Sequence, residues 1–560
     1  MRILTRQEVV AAEGEATSRP EVSTLVLMRR AGYAAAQFCR ANFKFRSVCV
    51  VCGRGNNGGD GLVAAEALAG TAEVQVVILA GDAGQLSPDA AAMCSRLGFD
   101  PLWAPDEAAL ASDAVREALA ADLIIDAIVG TGFKPPLKGL ARKAVEAIND
   151  SFGTVVAMDL PSGVDADSTT PLHENNADVV FAHGIVTFIA PKPAHVFGEL
   201  TSGPIAVSEI GVSPGVLENK TGLEVITGQE AGITFPPRRR EAHKGEFGHV
   251  LVIAGSLGKA GAGGLAGMAA LRTGAGLVTV ACPRSIQATV AGFAPEVMTE
   301  GLPETDEGTI AISAGSKAQT LFHGKDAIVL GPGLSQNPQT AEFVRHLVAS
   351  SPLPLVLDAD GLNAFDGRYE QLKPRGHAAP FRVLTPHPGE AARLLGASIA
   401  QIQADRLATA RRMARETGSC VVLKGSRTVV AGVSGETWIN MSGNPALAKG
   451  GSGDVLSGII GAALARQGSV PLRPPMQNNT ASGARGNTNE HLTHKSAGAS
   501  AFLDDVRVAA GVHLHGLAAD LARDALHENT VLATDLFHAI HEAFHDFDLQ
   551  AERGLFYLQK

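Results

Sequence analysis

Short, nearly continuous apolar runs alternate along the chain with longer stretches whose apolar positions return every three or four residues. Runs of the first kind, such as Ser47–Cys52, Val74–Leu79, Leu123–Ala127 and Val155–Met158, are too short for helices and too uniformly apolar for half-exposed strands. They predict strands buried on both faces, as in parallel sheets. Stretches of the second kind, Thr5–Asn42 and Leu62–Leu68 among them, predict helices, so that strand and helix alternate through the first half. The alternation restarts with a strand at His249–Ala254 and a helix running to Arg272, and Val455–Ala465 carries a further helical period. The fold class expected is α/β.

Two interruptions divide this pattern. Pro236-Pro237-Arg238-Arg239-Arg240 marks a domain boundary between about Gly211 and His243, which splits the chain into residues 1–225 and 226–560. Between Gln467 and Arg507 the period lapses. The stretch Gln477–Asn489 is too polar to bury enough surface to order itself, so a disordered insertion is expected at about 474–503, with helices resuming at Val508–Leu526. A chain of 560 residues also exceeds what one hydrophobic core supports.

Composition narrows the function classes. The chain is 45% hydrophobic and 19% charged, as globular proteins are, and its 63 glycines suit many strand-to-helix crossings. A formal net charge of −10 argues against a nucleic-acid or anionic-membrane partner, and no uncharged apolar run approaches the ~18 residues that would span a bilayer. With six cysteines and no signal peptide at Met1–Glu8, the expected location is the reducing cytoplasm. Cys49 and Cys52 have C-x-x-C spacing, but three positions apart on a strand they face opposite sides and cannot share a metal. His513, His515, His538, His541 and His545 lack thiol or carboxylate ligands at suitable spacing and read as surface or helix-end histidines.

The densest chemistry is Lys449-Gly450-Gly451-Ser452-Gly453-Asp454. Glycines let the backbone turn tightly there, the amides opening the next helix would point into an anion, and Asp454 stands where it can take a proton from a nucleophile. In the first half, Gly53–Gly61 satisfies G-x-G-x-x-G, a weak pattern with only Asp82 as an acidic residue near the following strand. Asn56-Asn57-Gly58-Gly59-Asp60 is more distinctive, because it sets amides, carbonyls and a carboxylate around one loop. Two later strands end in Asp126, before Gly130-Thr131-Gly132-Phe133, and in Asp159, before Pro161-Ser162-Gly163. Thr187 and Lys192 extend the set. Ligands of open parallel sheets bind beyond the carboxyl ends of strands, so these elements are expected to converge. Strands of the second half end at Gly331-Pro332-Gly333, Asp358–Asn363, Thr385–Glu390 and Lys424–Thr428, whereas Gly255–Lys259 is two residues short of a P-loop.

Together these motifs resemble the bifunctional NAD(P)H-hydrate repair enzymes, in which a hydrate epimerase is fused to an ADP-dependent hydrate dehydratase. The resemblance covers nearly the whole chain. It rests on Gly53–Gly61, Asp126–Gly132 and Asp159–Gly163 in the first half, and on His243-Lys244-Gly245, Asp358–Asn363, Thr385–Glu390 and Gly450–Leu456 in the second. It implies a Rossmann-like α/β/α sandwich followed by a ribokinase-like α/β domain.

For the first domain the resemblance implies interconversion of the R and S hydrates of NADH and NADPH. Potassium would be held by Asn57, Asp126 and Ser162, and the hydrate by Asn56, Asn57, Gly58, Gly59 and Asp60, by Gly130, Thr131, Gly132, Phe133, Lys134, Pro135 and Pro136, and by Asp159, with Asp159 and Lys192 in catalysis. For the second it implies phosphorylation of the hydrate hydroxyl by ADP, with magnesium, and elimination of phosphate to leave the reduced cofactor and AMP. Asp454 would be the base there. The nucleotide would lie on Lys424, Gly425, Ser426, Arg427, Thr428 and Gly453, and the hydrate on Ala262, Gly333, His387 and Asp454. Ser452 stands where the family commonly has threonine, which keeps the hydroxyl, and the polar insertion is foreign to the family pattern. The expected partners are the two hydrates and ADP, with no nucleic acid and no membrane, in a homo-oligomer. An alternative reading is a ribokinase-like vitamin-precursor kinase fused to a non-catalytic binding domain.

Overall fold

Ser47–Cys52 shows why its sequence is apolar. Cys49 and Val51 enter one core with Ile124 and Val145, while Val48, Val50 and Cys52 enter another with Phe38 and Leu62. Burial on both faces leaves no place for a polar side chain, and it sets Cys49 and Cys52, both free thiols, on opposite sides of the strand.

The computed structural model describes residues 1–19, 21–172, 178–212, 222–373, 380–466, 491–549 and 555–557. The chain divides into two compact units, Met1–Leu223 with Glu552–Lys560, and Glu224–Ala551. In the first, eight parallel strands run in the order Leu555–Tyr557, Ile205–Ser208, Gly184–Phe188, Thr154–Met158, Leu123–Ala127, Ser47–Cys52, Glu73–Ile78 and Leu102–Trp103. The strand order reverses between Ser47–Cys52 and Leu123–Ala127. At such a switch point the loops after neighbouring strands part and leave a crevice.

Two helix boundaries of the first unit differ from expectation. Thr5–Asn42 is two helices, Arg6–Thr17 and Thr24–Asn42, because each has its own cap: a Thr5–Glu8 capping box for the first, and the Ser23 side chain on the Val26 amide for the second. The next helix begins at Asn56, ahead of the expected Leu62, so the asparagine–glycine loop is its first turn and a half. Its glycines serve close packing there. A Cβ on Gly58 would collide with the Gly53 carbonyl oxygen, and one on Gly61 would lie 2.6 Å from Ala127 Cβ.

The second unit's ten-stranded sheet runs Met298–Leu302, Leu277–Pro283, His249–Ile253, Ala327–Leu330, Leu355–Leu357, Arg382–Leu384, Cys420–Leu423, Val429–Ala431, Thr437–Ile439 and Leu223–Val225. It is parallel as far as Cys420–Leu423 and then turns through antiparallel pairs. Its reversal falls between His249–Ile253 and Ala327–Leu330, giving a second crevice of the same kind. The helix Ser452–Ala465 is buried along nearly its whole length against this sheet, which accounts for its nearly all-apolar sequence. Most of the expected insertion at 474–503 lies outside the described residues. From His491, however, the chain is helical to Leu526, so helix resumes before the expected Val508, consistent with the alanines from Ala497 onward. Among the described residues no helix is long and apolar enough to cross a membrane.

Candidate active sites

In the first unit the crevice collects the ends of four strands. Asp159 follows Thr154–Met158 with a positive φ of 66°, which turns its carboxylate back over the sheet edge. That carboxylate accepts from Lys192 Nζ at 2.6 Å, Thr187 Oγ1 at 3.0 Å, the Thr131 amide at 2.7 Å and Thr131 Oγ1 at 2.5 Å. Lys192, only 1% exposed, also donates to Thr187 Oγ1 and the Phe188 carbonyl. Burial acts to raise the pKa of Asp159, but the Lys192 cation and these donors outweigh it and hold the carboxyl well below the usual range. His195 frames the pair: its Nδ1 accepts from the Lys192 amide at 2.9 Å, so Nε2 carries the proton donated to the Asp159 carbonyl at 2.7 Å. Burial first, and Lys192 second, push that imidazole down to about 4, which keeps it neutral.

Asp60 is the opposite case. Burial, then the Asp159 and Glu13 carboxylates, push it well above the ordinary range, opposite to the shift of Asp159. Gly130 is seated between the two halves of this cluster, since a Cβ there would lie 2.9 Å from Asp159 Oδ2 and 3.1 Å from Asn57 Oδ1. Phe133 closes a turn on the Gly130 carbonyl, and Lys134, Pro135 and Pro136 form an exposed rim beyond it. Asn56 points elsewhere, accepting from Ser87 Oγ at 2.9 Å.

Asp126 lies beneath this crevice, fully buried. It accepts from the Ser162 amide at 2.7 Å, Ser162 Oγ at 2.6 Å and the Ile128 amide at 3.2 Å. All three donors are neutral, and burial pushes the carboxyl up to about 6 in spite of them. The Val129 carbonyl is 3.3 Å from Ser162 Oγ, and Asn57 Nδ2 is buried with no hydrogen-bond partner among the described residues. Among the described residues there is no group of three or more His, Cys, Asp and Glu side chains placed to hold a metal. One carboxylate with neutral oxygens suits a large monovalent cation better than zinc or calcium.

The second crevice centres on Asp358, at the end of Leu355–Leu357. It accepts from Lys424 Nζ at 2.8 Å and from Ser457 Oγ at 2.6 Å, and Glu390 lies 3.9 Å from Lys424. Burial opposes both charges, yet the pairing wins: Asp358 is held low and Lys424 is held high. Gly451, at φ 92°, makes the turn into Ser452–Ala465 and brings Gly453 and Asp454 over this pair. A Cβ on Gly453 would stand 3.6 Å from Lys424 Nζ. Asp454, on the first turn of that helix, is pushed up to about 7, by burial first and by the Asp358 charge second, with Lys424 opposing.

Other predicted residues form the rim. Gly333 abuts Ala262, since a Cβ on Gly333 would lie 2.8 Å from Ala262 Cβ, and the Gly333 carbonyl accepts from Ser256 Oγ at 2.7 Å. His387 caps its helix: Nδ1 accepts from the Gly389 and Glu390 amides, leaving Nε2 toward solvent and 3.4 Å from Glu390. Thr428 and Arg427 donate to the Gly425 and Met441 carbonyls, and Arg406 braces the Ser426 and Leu423 carbonyls of the same turn.

Sequence reasoning assigns no role to Glu13, His195, Asp358, Glu390, Ser457, Lys259 or Asp360. Asp358 carries the one available signal, a carboxylate ending a buried strand like Asp126 and Asp159. Lys259, 3.4 Å from Asp360, belongs to the Gly255–Lys259 segment that fails as a P-loop yet still lines the crevice. Glu13 and Ser457 are polar residues inside helical stretches and carry none. The expectation of surface or helix-end positions fails for His515, which is 7% exposed and bonded to the Ser452 carbonyl: Leu514 and Ala518 around it are core residues, so its helix face is internal.

Residues 250–542 match the family model described as NAD(P)H-hydrate dehydratase, and residues 24–194 the model described as YjeF-related protein N-terminus. The chain is 36% identical over 550 residues to the bifunctional NAD(P)H-hydrate repair enzyme of Moorella thermoacetica, covering 96% of this chain and 95% of the relative. It is 33% identical over 541 residues to the enzyme of the same description from Escherichia coli, covering 95% and 92%. Among solved structures, an ADP/ATP-dependent NAD(P)H-hydrate dehydratase from Bacillus subtilis, co-crystallized with ATP and Mg2+, is 28% identical with a TM-score of 0.45. It covers 58% of this chain and 98% of that one.

Proposed function

The chain belongs to the bifunctional NAD(P)H-hydrate repair enzymes, and from that premise we propose how its two crevices divide the work. The first unit interconverts the R and S hydrates of NADH and NADPH. The second dehydrates the S form at the expense of ADP, giving AMP and phosphate.

The hydrate carries its hydroxyl on a ring carbon bonded to the ring nitrogen. Protonating that hydroxyl releases water and leaves a cation shared with the nitrogen, and water returning to the other face inverts the centre. Asp60, which holds its proton more tightly because of burial and the neighbouring carboxylates, is the donor. Asp159, kept ionised by Lys192, faces the developing positive charge, and the proton returns to Asp60 when water adds. Two carboxyls with acidities driven apart by their surroundings are what an acid and an anionic partner require. Asn57, Asp126 and Ser162 would hold potassium, which supplies a fixed positive charge beside Asp126. In its support stand the raised pKa of Asp126 and the Ser162 hydroxyl and Val129 carbonyl oxygens gathered beside it.

One observation carries the second activity: Asp454, its pKa pushed up to about 7, stands on the first turn of the helix that opens beside Asp358 and Lys424. A general base works best when poised near the operating pH. Asp454 takes the hydrate hydroxyl proton as the β-phosphoryl of ADP transfers to that oxygen. Gly453 N–H and Lys424 bear the phosphate charge, and elimination of phosphate, which takes up the proton lost from the neighbouring ring carbon, then restores the ring double bond. The turn Lys424–Thr428 receives the nucleotide, while Ala262, Gly333 and His387 line the hydrate side. Magnesium would accompany the nucleotide and offset its phosphate charge. Six free thiols, five of them buried, support the cytoplasm as the working compartment, and a homo-oligomer is part of the reading, to be checked by sedimentation.

Each hydrate epimer is supplied separately with ADP or ATP, and return of the reduced-nicotinamide absorbance is followed. Absorbance recovered from S directly, and from R only after epimerisation, supports the reading. A stable phosphorylated product with no recovered absorbance would favour a simple kinase instead.

A further inference from the structure

His515 is a buried polar side chain at the second crevice that the chemistry above leaves without a task. It sits on the helix His491–Leu526, and its Nε2 lies 3.0 Å from the Ser452 carbonyl oxygen, 63 residues away in sequence. A carbonyl accepts only, so Nε2 carries the proton and donates it.

The Ser452 carbonyl and the Gly453 N–H are two ends of one planar peptide group. Fixing the oxygen therefore fixes the direction of the N–H. Gly450, Gly451 and Gly453 around this peptide impose few limits of their own on backbone rotation, so a donor on its oxygen adds to the restraint that the first helical turn supplies. A donor on the carbonyl also polarises the amide and strengthens the bond that its N–H makes.

The helix bearing His515 is itself tied to the segment leading into the turn. A Cβ on Gly516 would collide with Ser442 Oγ, so helix and segment touch backbone to side chain, and Ser442 Oγ donates to the His513 carbonyl at 2.9 Å. Asp520 accepts from the Gly443 amide at 2.8 Å and Asn444 Nδ2 at 2.9 Å. Lys449, which opens the turn, donates to the carbonyls of Asn529 and Val531 at 2.7 Å each. The imidazole thus reaches the turn from a fixed frame.

We propose that His515 is a positioning residue for the nucleotide: it holds the Ser452–Gly453 peptide so that the Gly453 N–H is aimed at the ADP phosphate. The proposal rests on the reading that this turn cradles ADP. The test uses the full chain and calorimetric titration with ADP. His515→Leu keeps much of the volume and loses the donor, whereas glutamine can set an N–H near the place of Nε2 and asparagine falls short. ADP affinity should fall about tenfold in His515→Leu, the equivalent of about 1.4 kcal/mol. His515→Gln should stay within about twofold of the parent, and in His515→Leu the KM for ADP should rise more than that for the hydrate. Should the leucine variant misfold, as read by its melting transition, the glutamine and asparagine variants decide, with only the latter weakened. Unchanged ADP affinity in His515→Leu, or equal weakening by glutamine and asparagine, overturns the proposal. A parent protein that does not bind ADP at all overturns the underlying reading of the turn instead.

Discussion

Replacing Asp454 by asparagine should make the protein more stable and inactive as a dehydratase at once. In the folded state its pKa is pushed up to about 7, against 3.8 for the free side chain, so folding disfavours its ionised form. The penalty is absent below the unfolded value, grows as pH rises between the two, and is constant above the folded one. A difference of about three units corresponds to about 4 kcal/mol at most, and partial solvent access reduces this to about 2 kcal/mol. An asparagine side chain never ionises, so the variant's advantage should be small at pH 5 and larger by about 1–2 kcal/mol at pH 8, a few degrees in melting temperature for a unit of this size. Dehydration should fall by about 10²–10⁴-fold, the usual contribution of a general base. Melting curves of parent and variant at pH 5 and 8, with single-epimer turnover, measure both effects. An advantage that does not grow with pH would mean that Asp454 is not held near neutrality by burial, and near-normal dehydration would mean that it is not the base.

In the first unit, Asp159→Asn should leave dehydration intact, consuming the S hydrate and stranding the R form apart from slow spontaneous conversion; chiral separation of the remaining hydrate shows this, and prompt loss of R would refute it. Asp126→Ala removes the charged member of the proposed potassium site, so epimerisation should lose its dependence on potassium concentration while the second reaction continues; an unaltered potassium response would argue for another site. Arg6 donates to the Phe133 carbonyl at 3.1 Å and pairs with Asp167 at 3.4 Å, tying the Gly130–Pro136 loop to the start of the chain. Arg6→Ala should therefore raise the KM of epimerisation several-fold and leave ADP affinity alone, and equal KM values would show that the loop holds its shape without the clamp.

The parts of this molecule legible from sequence are those where one physical demand dominates a short stretch. Strands buried on both faces must be apolar throughout, so Ser47–Cys52 and Leu123–Ala127 announce themselves, and polar groups just past their ends stand out as candidates. Asp454 is legible because glycines crowd around it. Asn56 is not legible as a helix start, since the glycines after it suit a loop by propensity and are present for close packing against Gly53 and Ala127. Glu13 and His515 reach their sites from distant segments, and nothing within a few residues of either distinguishes them from an ordinary surface or core position. The acidity of Asp60 is beyond reach for a related reason: it depends on which other carboxylates face it, a property of the assembled crevice.

The strand Leu555–Tyr557 pairs with Ile205–Val207 at the edge of the first unit's sheet, and so gives the second unit the status of an insertion within the first. A ribosome makes that strand only after every residue of the dehydratase unit. During synthesis the Ile205–Ser208 edge stays open, and an open edge is a template for pairing with other chains. Cutting the gene between the two units would leave that edge bare permanently, so an isolated first unit should aggregate more readily than the full chain, and adding back the closing strand through a short linker should rescue it.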